Sequence, residues 1–378
     1  MDLADMLSYA DIHELSRIAK TYQCECDGHS KRELIQAILS KLNRREVFES
    51  QVSGLTMEDL RFLNSILFEP RDTYSLEELI ACARQAQFDS AGQATASAGG
   101  AAAERERQAP SPRETISRFK QMGWLFNGHS QQTRYLFRIP ADLRRRFGDT
   151  LAEKFAGRLD YRDEPPAFRG EEGLLGSDVV ILLRAVADLE PQLAADGSLY
   201  KRGQAQILER LNVPEEPLSK GGWRFGYGRR FRDYPNRFAL LYDYVYHRGW
   251  ISEAQDRLLL TRDGENRLAD GAKESDGELY RYWLRVYRIP VYNLHSIVHW
   301  LDRLAAGRWA TVESLGRLLC PLIKPFYYDS PQAVFEQRIV RMLVHLGFAR
   351  LGECPDGAAV VRITDSGSAW IRLIGMAD

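Results

Sequence analysis

The sequence has little of what would mark a secreted, membrane-spanning or broadly basic protein. No apolar run approaches the roughly 20 residues of a membrane span. The opening MDLADML is acidic and lacks the basic start and apolar core of a secretory leader. Five cysteines among 378 residues are scattered and odd in number, which argues for reduced thiols in the cytoplasm rather than a disulfide framework. The formal net charge is −1, so nucleic acid, if bound, meets local patches and not a basic coat. No GxxxxGK[ST] phosphate loop is present, and Gly226-Tyr227-Gly228 begins a GxGxxG that ends in Phe231. Phe225-Gly226-Tyr227 carries part of an RNP1 strand, without its preceding glycine or following valine. Cys24, Cys26 and His29 lack a nearby fourth zinc ligand, so neither metal nor cofactor is expected. His247 and His345 stand alone in helix turns, where they read as C-terminal cations and not general bases. With no nucleophile motif and no carboxylate pair in a pocket, the chain reads as non-enzymatic.

What is present begins with a helical head over 1–43. Ile12, Leu15, Ile18 and Ala19 form an apolar stripe, YQCECDGH breaks it, and Ser30 with Glu33 opens a second helix as a capping box. IHELSRIAKTYQCECDGHSKRELIQAIL resembles the helix-extended-helix of SAP and Rho-N-type modules. That resemblance implies nucleic-acid binding, with Lys31 and Arg32 at the start of the second helix facing the ligand. Helices at about 56–67 and 75–87 follow, and then SAGQATASAGGAAAERERQAP, which has no apolar stripe and reads as a flexible linker at 89–110.

Past the linker an internal repeat appears. FKQMGWLF, VYHRGWIS and LVHLGFAR each end an amphipathic helix with a Gly–aromatic pair, at Gly123, Gly249 and Gly347. Pro112, Pro235 and Pro331 open these helices, and two strand-like runs follow each glycine. LTRDGENRL and ITDSGSAWI then share an aliphatic, Thr, x, x, Gly, three residues, aliphatic pattern. Helix, Gly–aromatic pair and hairpin make the second half of a winged helix, and candidate first halves precede each copy. The arrangement resembles the non-motor N-terminal region of XPB-like helicases and bacterial helicase-associated proteins. The expected fold is therefore mainly α with small β-hairpin wings: the head 1–43, winged helix 1 over 44–160 with the 89–110 insertion, winged helix 2 over 174–272 with a basic aromatic insertion at 217–234, and winged helix 3 over 276–378.

That second insertion, within SKGGWRFGYGRRFRDYPNRF, interleaves arginine with aromatics. Trp223, Phe225 and Tyr227 alternate as they would on one strand face, so the aromatics read as structural. The cations Lys201, Arg202, Lys220, Arg224, Arg229, Arg230, Arg232 and Arg237 read as phosphate contacts, since guanidinium offers a permanently charged bidentate fork. Arg144-Arg145-Arg146 reads as a solvated helix face. The expected function is a nucleic-acid-binding accessory protein, with DNA before RNA, a helicase or a transcription or repair complex as partner, and no membrane. The competing expectation is a protein-interaction scaffold.

Overall fold

The computed structural model describes residues 1–374 except 27, 70, 89–109, 219–226 and 255. The chain is mainly helical with small antiparallel sheets, and it divides after Gly157 into two compact units. The expected head and first repeat lie together in the first unit, and the second and third repeats lie in the other. The expected linker falls outside the described residues except for Pro110.

The first unit contains α1 (Leu3–Tyr9), α2 (Ile12–Thr21), α3 (Lys31–Leu42), α4 (Arg45–Ser53), α5 (Met57–Leu67), α6 (Leu76–Ala86), α7 (Pro112–Gln121), strands β1 (Phe126–Asn127) and β2 (Phe137–Arg138), and α8 (Ala141–Ala156). Serines start its helices as the sequence predicts. Ser30 accepts the Glu33 amide at 3.3 Å, and Ser75 and Ser111 form full capping boxes with Glu78 and Glu114. The core is a run of aromatic contacts, Phe62 to Phe119 to Trp124 to Phe147 to Phe48, with ring centroids 4.8–5.5 Å apart. The head packs directly on this core. Tyr22 donates its hydroxyl to the Met122 carbonyl at 2.8 Å, beside the turn that holds Trp124. Arg146 spreads across the carbonyls of Leu42, Asn43 and Arg44 and lies over the Phe48 ring, closing the end of α3. Arg144 reaches the carbonyls of Glu69 and Arg71. The triple-arginine run is thus not a solvated face: only Arg145 is exposed, because its neighbours satisfy carbonyls that would otherwise lack donors.

The second unit opens with β3 (Tyr161–Arg162) and β4 (Ala167–Gly170). Its second repeat holds α9 (Leu174–Leu189), α10 (Lys201–Leu208), α11 (Asn236–His247), the hairpin β5 (Ile251–Ala254) and β6 (Arg257–Leu260), and α12 (Arg262–Asp270). After α13 (Asp276–Tyr287), the third repeat holds α14 (Leu294–Ala305), β7 (Trp309–Thr311) and α15 (Val312–Leu319). A continuous helical run follows, made of α16 (Pro331–Ala333), a π-helical stretch (Val334–Val340) and α17 (Arg341–His345). The hairpin β8 (Ala349–Glu353) and β9 (Ala359–Ile363) and the helix α18 (Asp365–Ile374) complete it.

The three Gly–aromatic pairs share one hydrogen-bond device. Gly123, Gly249 and Gly347 have φ of +65°, +70° and +77°, the left-handed region that glycine enters without steric cost. Each glycine amide returns to the carbonyl three residues back at 2.9 Å. Each aromatic amide returns five residues back: Trp124 to Phe119 at 3.0 Å, Trp250 to Val245 at 3.0 Å, Phe348 to Leu343 at 2.8 Å. These are Schellman closures, which satisfy the last carbonyls and aim the chain into the hairpin. A bridging residue upstream pairs with each second hairpin strand: Tyr74 with Phe137, Gln192 with Arg257, and Ala310 with Val361.

The Thr-x-x-Gly pattern completes the closure in the last two copies. Thr261 donates its hydroxyl to the Gly249 carbonyl at 2.6 Å and accepts the Gly264 amide at 3.1 Å. Thr364 does the same with Gly347 at 3.1 Å and Gly367 at 3.0 Å. The second glycine is required by closeness: a Cβ would stand 1.9 Å from the Trp250 carbonyl oxygen at Gly264, and 2.5 Å from that of Phe348 at Gly367. In the third repeat the hairpin is extended on both sides into a five-stranded sheet of order β3-β7-β9-β8-β4.

Candidate nucleic-acid interface

Helices α7, α11 and the Pro331–His345 run occupy the same place, immediately before a Gly–aromatic turn, but differ in what they show to solvent. Every residue of α11 from Arg237 to Val245 is buried. In the Pro331–His345 run, Val334, Phe335, Arg338 to Val340 and Met342 to His345 are buried, while Gln332 and Arg341 are exposed and Glu336 and Gln337 are half-buried. Helix α7 buries only Thr115, Ile116 and Phe119. A helix buried all round is core, whereas one with a single buried stripe has a face to spare.

The sequence fixes which residues that face carries. Ile116 and Phe119 anchor α7, so Arg113, Ser117 and Gln121, spaced four apart, line up on the outside and are exposed. Lys120 sits at the margin. Across a cavity of about 370 Å³ stands Arg17 of α2, with Leu76, Ile116 and Phe137 also lining it. The Lys120 ammonium lies 3.6 Å from Glu14 and donates to Asn127 at 2.7 Å, so its charge is largely answered. Arg17 and Arg113 have no side-chain partner among the described residues. Two uncompensated guanidinium groups and a polar helix face can cradle an anionic chain by bidentate hydrogen bonds.

The cations expected from sequence fare unequally. Lys31 and Arg32 are exposed at the start of α3, as are Lys201 and Arg202 at the start of α10. Lys220 and Arg224, with Trp223 and Phe225, lie outside the described residues. Arg232 is exposed. Arg237 and Arg230 depart from that expectation. Arg237 is 0% exposed, with Nη2 2.6 Å from Asp178 and Nε 3.1 Å from Glu171, so it is unavailable to a ligand. Arg230 is buried and donates to Glu253 at 2.9 Å, Asp233 at 3.2 Å and the Asp196 and Gly197 carbonyls. Arg229 is half-exposed, but its fork grips Glu253 and its guanidinium covers the Tyr246 ring, so most of its charge is already used. Tyr227 is buried against Phe231, Tyr287 and Phe326, as a structural aromatic should be. Among the described residues around it the backbone bends; it forms no strand.

Acidic residues from elsewhere in the unit explain this capture. Asp243 accepts the amides of Arg229 at 2.7 Å and Arg230 at 3.2 Å. Burial raises its pKa to about 6, against the pull of those amides and the two arginines. Burial also works against ionisation of Glu171, but the His345 hydrogen bond and charge, with Arg237 and Arg169, bring its pKa down to about 2. His345 is buried in the last turn of α17, its Nδ1 3.0 Å from Glu171, so it serves as an internal partner of that carboxylate. His247 lies in the last turn of α11. Burial, then the nearby Arg285 and Arg248, lower its pKa.

Sequence reasoning missed the α7 face although the signal was there. The apolar positions of α7 define the repeat, and the polar positions between them, Arg113, Ser117 and Gln121, are the ones left outside. Arg17 could not be added from sequence, because only the fold brings α2 beside α7. No protein-family model, curated protein or solved structure matches the chain.

Proposed function

We propose that this chain is a non-enzymatic nucleic-acid-binding accessory protein, a SAP/Rho-N-like head followed by three winged-helix units, with the phosphate backbone held by the first unit. The carrying observation is that α7 keeps a polar face with Arg113 exposed, across a cavity from Arg17, both without a side-chain partner among the described residues, whereas α11 is buried from Arg237 to Val245. Three further features support the winged-helix reading: the recurring order of helix, bridging residue, two helices and hairpin, the shared Schellman closure, and the position of α7 as the helix that helix-turn-helix domains present to nucleic acid. Lys31 and Arg32 are further exposed cations of the same unit. A partner among helicases or transcription and repair complexes, a preference for DNA, and action in the cytoplasm belong to the same proposal. Among the described residues no helix is long and apolar enough to cross a membrane.

Titrating the full chain with labelled nucleic acid at rising salt tests this. Arg17→Ala with Arg113→Ala should weaken binding and flatten the log–log salt slope by about 0.7–0.9 per lost phosphate contact. Unchanged affinity and slope would remove the α7 face from the site.

One observation favours the scaffold reading for the second unit. Ile289 and Tyr328 are 80% and 82% exposed, on loops whose neighbours Tyr287 and Phe326 both touch the Tyr227 ring. Exposed apolar side chains grouped in this way suit a protein-docking surface. The scaffold reading leads if the full chain binds no nucleic acid.

A further inference from the structure

We infer that the first unit takes single-stranded nucleic acid, stacking bases on Tyr135 and on the Tyr9–His129 pair; this rests on the nucleic-acid reading of the α7 face. The loop between β1 and β2 holds its shape by itself. The Ser130 and Thr133 amides each donate to the other's hydroxyl at 3.2 Å. The Arg134 amide reaches the Ser130 carbonyl at 2.9 Å, and the Gly128 amide reaches that of Leu136 at 3.0 Å. Gly128 permits the closure, since a Cβ there would lie 2.4 Å from both oxygens of Thr133. A loop already closed on itself loses little further freedom when a ligand arrives.

This ordered loop nevertheless holds an aromatic ring away from the core. Tyr135 is 69% exposed, with the Arg134 guanidinium 4.6 Å from its centroid. Tyr9 is 62% exposed and lies against His129 at 4.6 Å and an interplanar angle of 24°. Neither tyrosine hydroxyl has a hydrogen bond among the described residues. These rings contribute little to the interior; Arg134 covers one face of Tyr135 and His129 one face of Tyr9, which leaves the opposite face of each to another π system.

The platform is tied to the cations. Lys120 donates to Asn127 at 2.7 Å, and Asn127 donates to the Arg134 carbonyl at 3.0 Å. Two hydrogen bonds therefore fix the Arg134–Tyr135 step relative to α7. Guanidinium groups beside exposed rings match a strand whose phosphates and unstacked bases alternate. A duplex keeps its bases stacked inside and offers these rings nothing. Any base has a π face, so the expected ligand is single-stranded and tolerant of sequence.

The test is fluorescence anisotropy with the full chain at one salt concentration. The probes are oligothymidylate and oligouridylate of about 20 nucleotides, a length that spans such a site, and a duplex of equal length. The unaltered protein should prefer a single strand, and the DNA and RNA arms show which sugar it accepts. Tyr135→Ala should lose about tenfold or more on the single strand and nothing on the duplex. Tyr135→Phe, which keeps the ring, should restore binding. Equal losses on both forms, or none, would overturn the stacking role while leaving the phosphate reading intact. Loss of single-strand binding in Arg17→Ala/Arg113→Ala but not in Tyr135→Ala would do likewise. Absence of all nucleic-acid binding by the unaltered protein would overturn both.

Discussion

Arg113 and Arg237 are each the second residue of a helix that runs into a Gly–aromatic turn, yet one ends in solvent and the other in the interior. Repeat position sets where each side chain starts and does not set what it meets. Arg237 meets Glu171 and Asp178, brought from the segment after β4 and from α9. Arg113 lines an open cavity and pairs with no carboxylate among the described residues, the Glu14 of that lining being held by Lys120. A cluster of arginines along a sequence therefore measures positive charge supplied, while the carboxylates folded against it determine what remains for a ligand.

The sharpest way to break this comparison is to truncate both. Arg237→Ala leaves two carboxylates buried without their counter-charge and should destabilise the second unit by about 3–5 kcal/mol. Arg113→Ala should stay within about 0.5 kcal/mol. Hydrogen exchange at the α11 and α7 amides reads the two units separately. Equal costs would mean that the buried cluster does not hold the unit together.

Acid offers a second route to the same cluster. The carboxyl of Glu171 has its pKa lowered from the ordinary 4.5 to about 2. Its stabilising contribution is therefore complete above pH 4.5 and lost as the pH falls through 2. That contribution is on the order of 3 kcal/mol. Glu171→Gln should flatten the acid limb of the second unit's stability curve; an unaltered limb would mean that other carboxylates carry it.

A smaller contrast lies inside one turn. Gly264→Ala puts a methyl into the Trp250 backbone and should cost about 1–3 kcal/mol. Gly249→Ala meets open space and should cost only the left-handed backbone penalty, about 1–2 kcal/mol. Amide protection in β5 and β6 should rank the two variants in that order.

Local features were readable from sequence because local physics creates them. Ser75 and Ser111 cap helices through residues three positions on, and Gly123, Gly249 and Gly347 end helices through amides three and five residues away. The Thr-x-x-Gly pattern was visible, but its cause was not, since Thr261 and Gly264 act on the backbone at Gly249 and Trp250 across the hairpin. The arginine site was misread for the same reason at longer range: Glu171 is separated from Arg237 by 66 positions. No window on the SKGGWRFGYGRRFRDYPNRF stretch contains it. The α7 face needed only the complement of a stripe already found, but its facing partner Arg17 comes from the other side of the linker.

The five-stranded sheet also constrains when the second unit can form. Its two outer strands, Tyr161–Arg162 and Ala167–Gly170, emerge first from the ribosome, and their partners, Trp309–Thr311 and Ala349–Glu353, are made near the end of the unit. Pairing across such separations is entropically late and slows folding relative to helical neighbours. The first unit, rich in contacts between successive helices, can be complete while those early strands still wait as unpaired edges. During synthesis the second unit is therefore the part of the chain most exposed to misassociation, and a fragment starting at Leu174, which lacks both outer strands, would leave Trp309–Thr311 and Ala349–Glu353 as permanent edges.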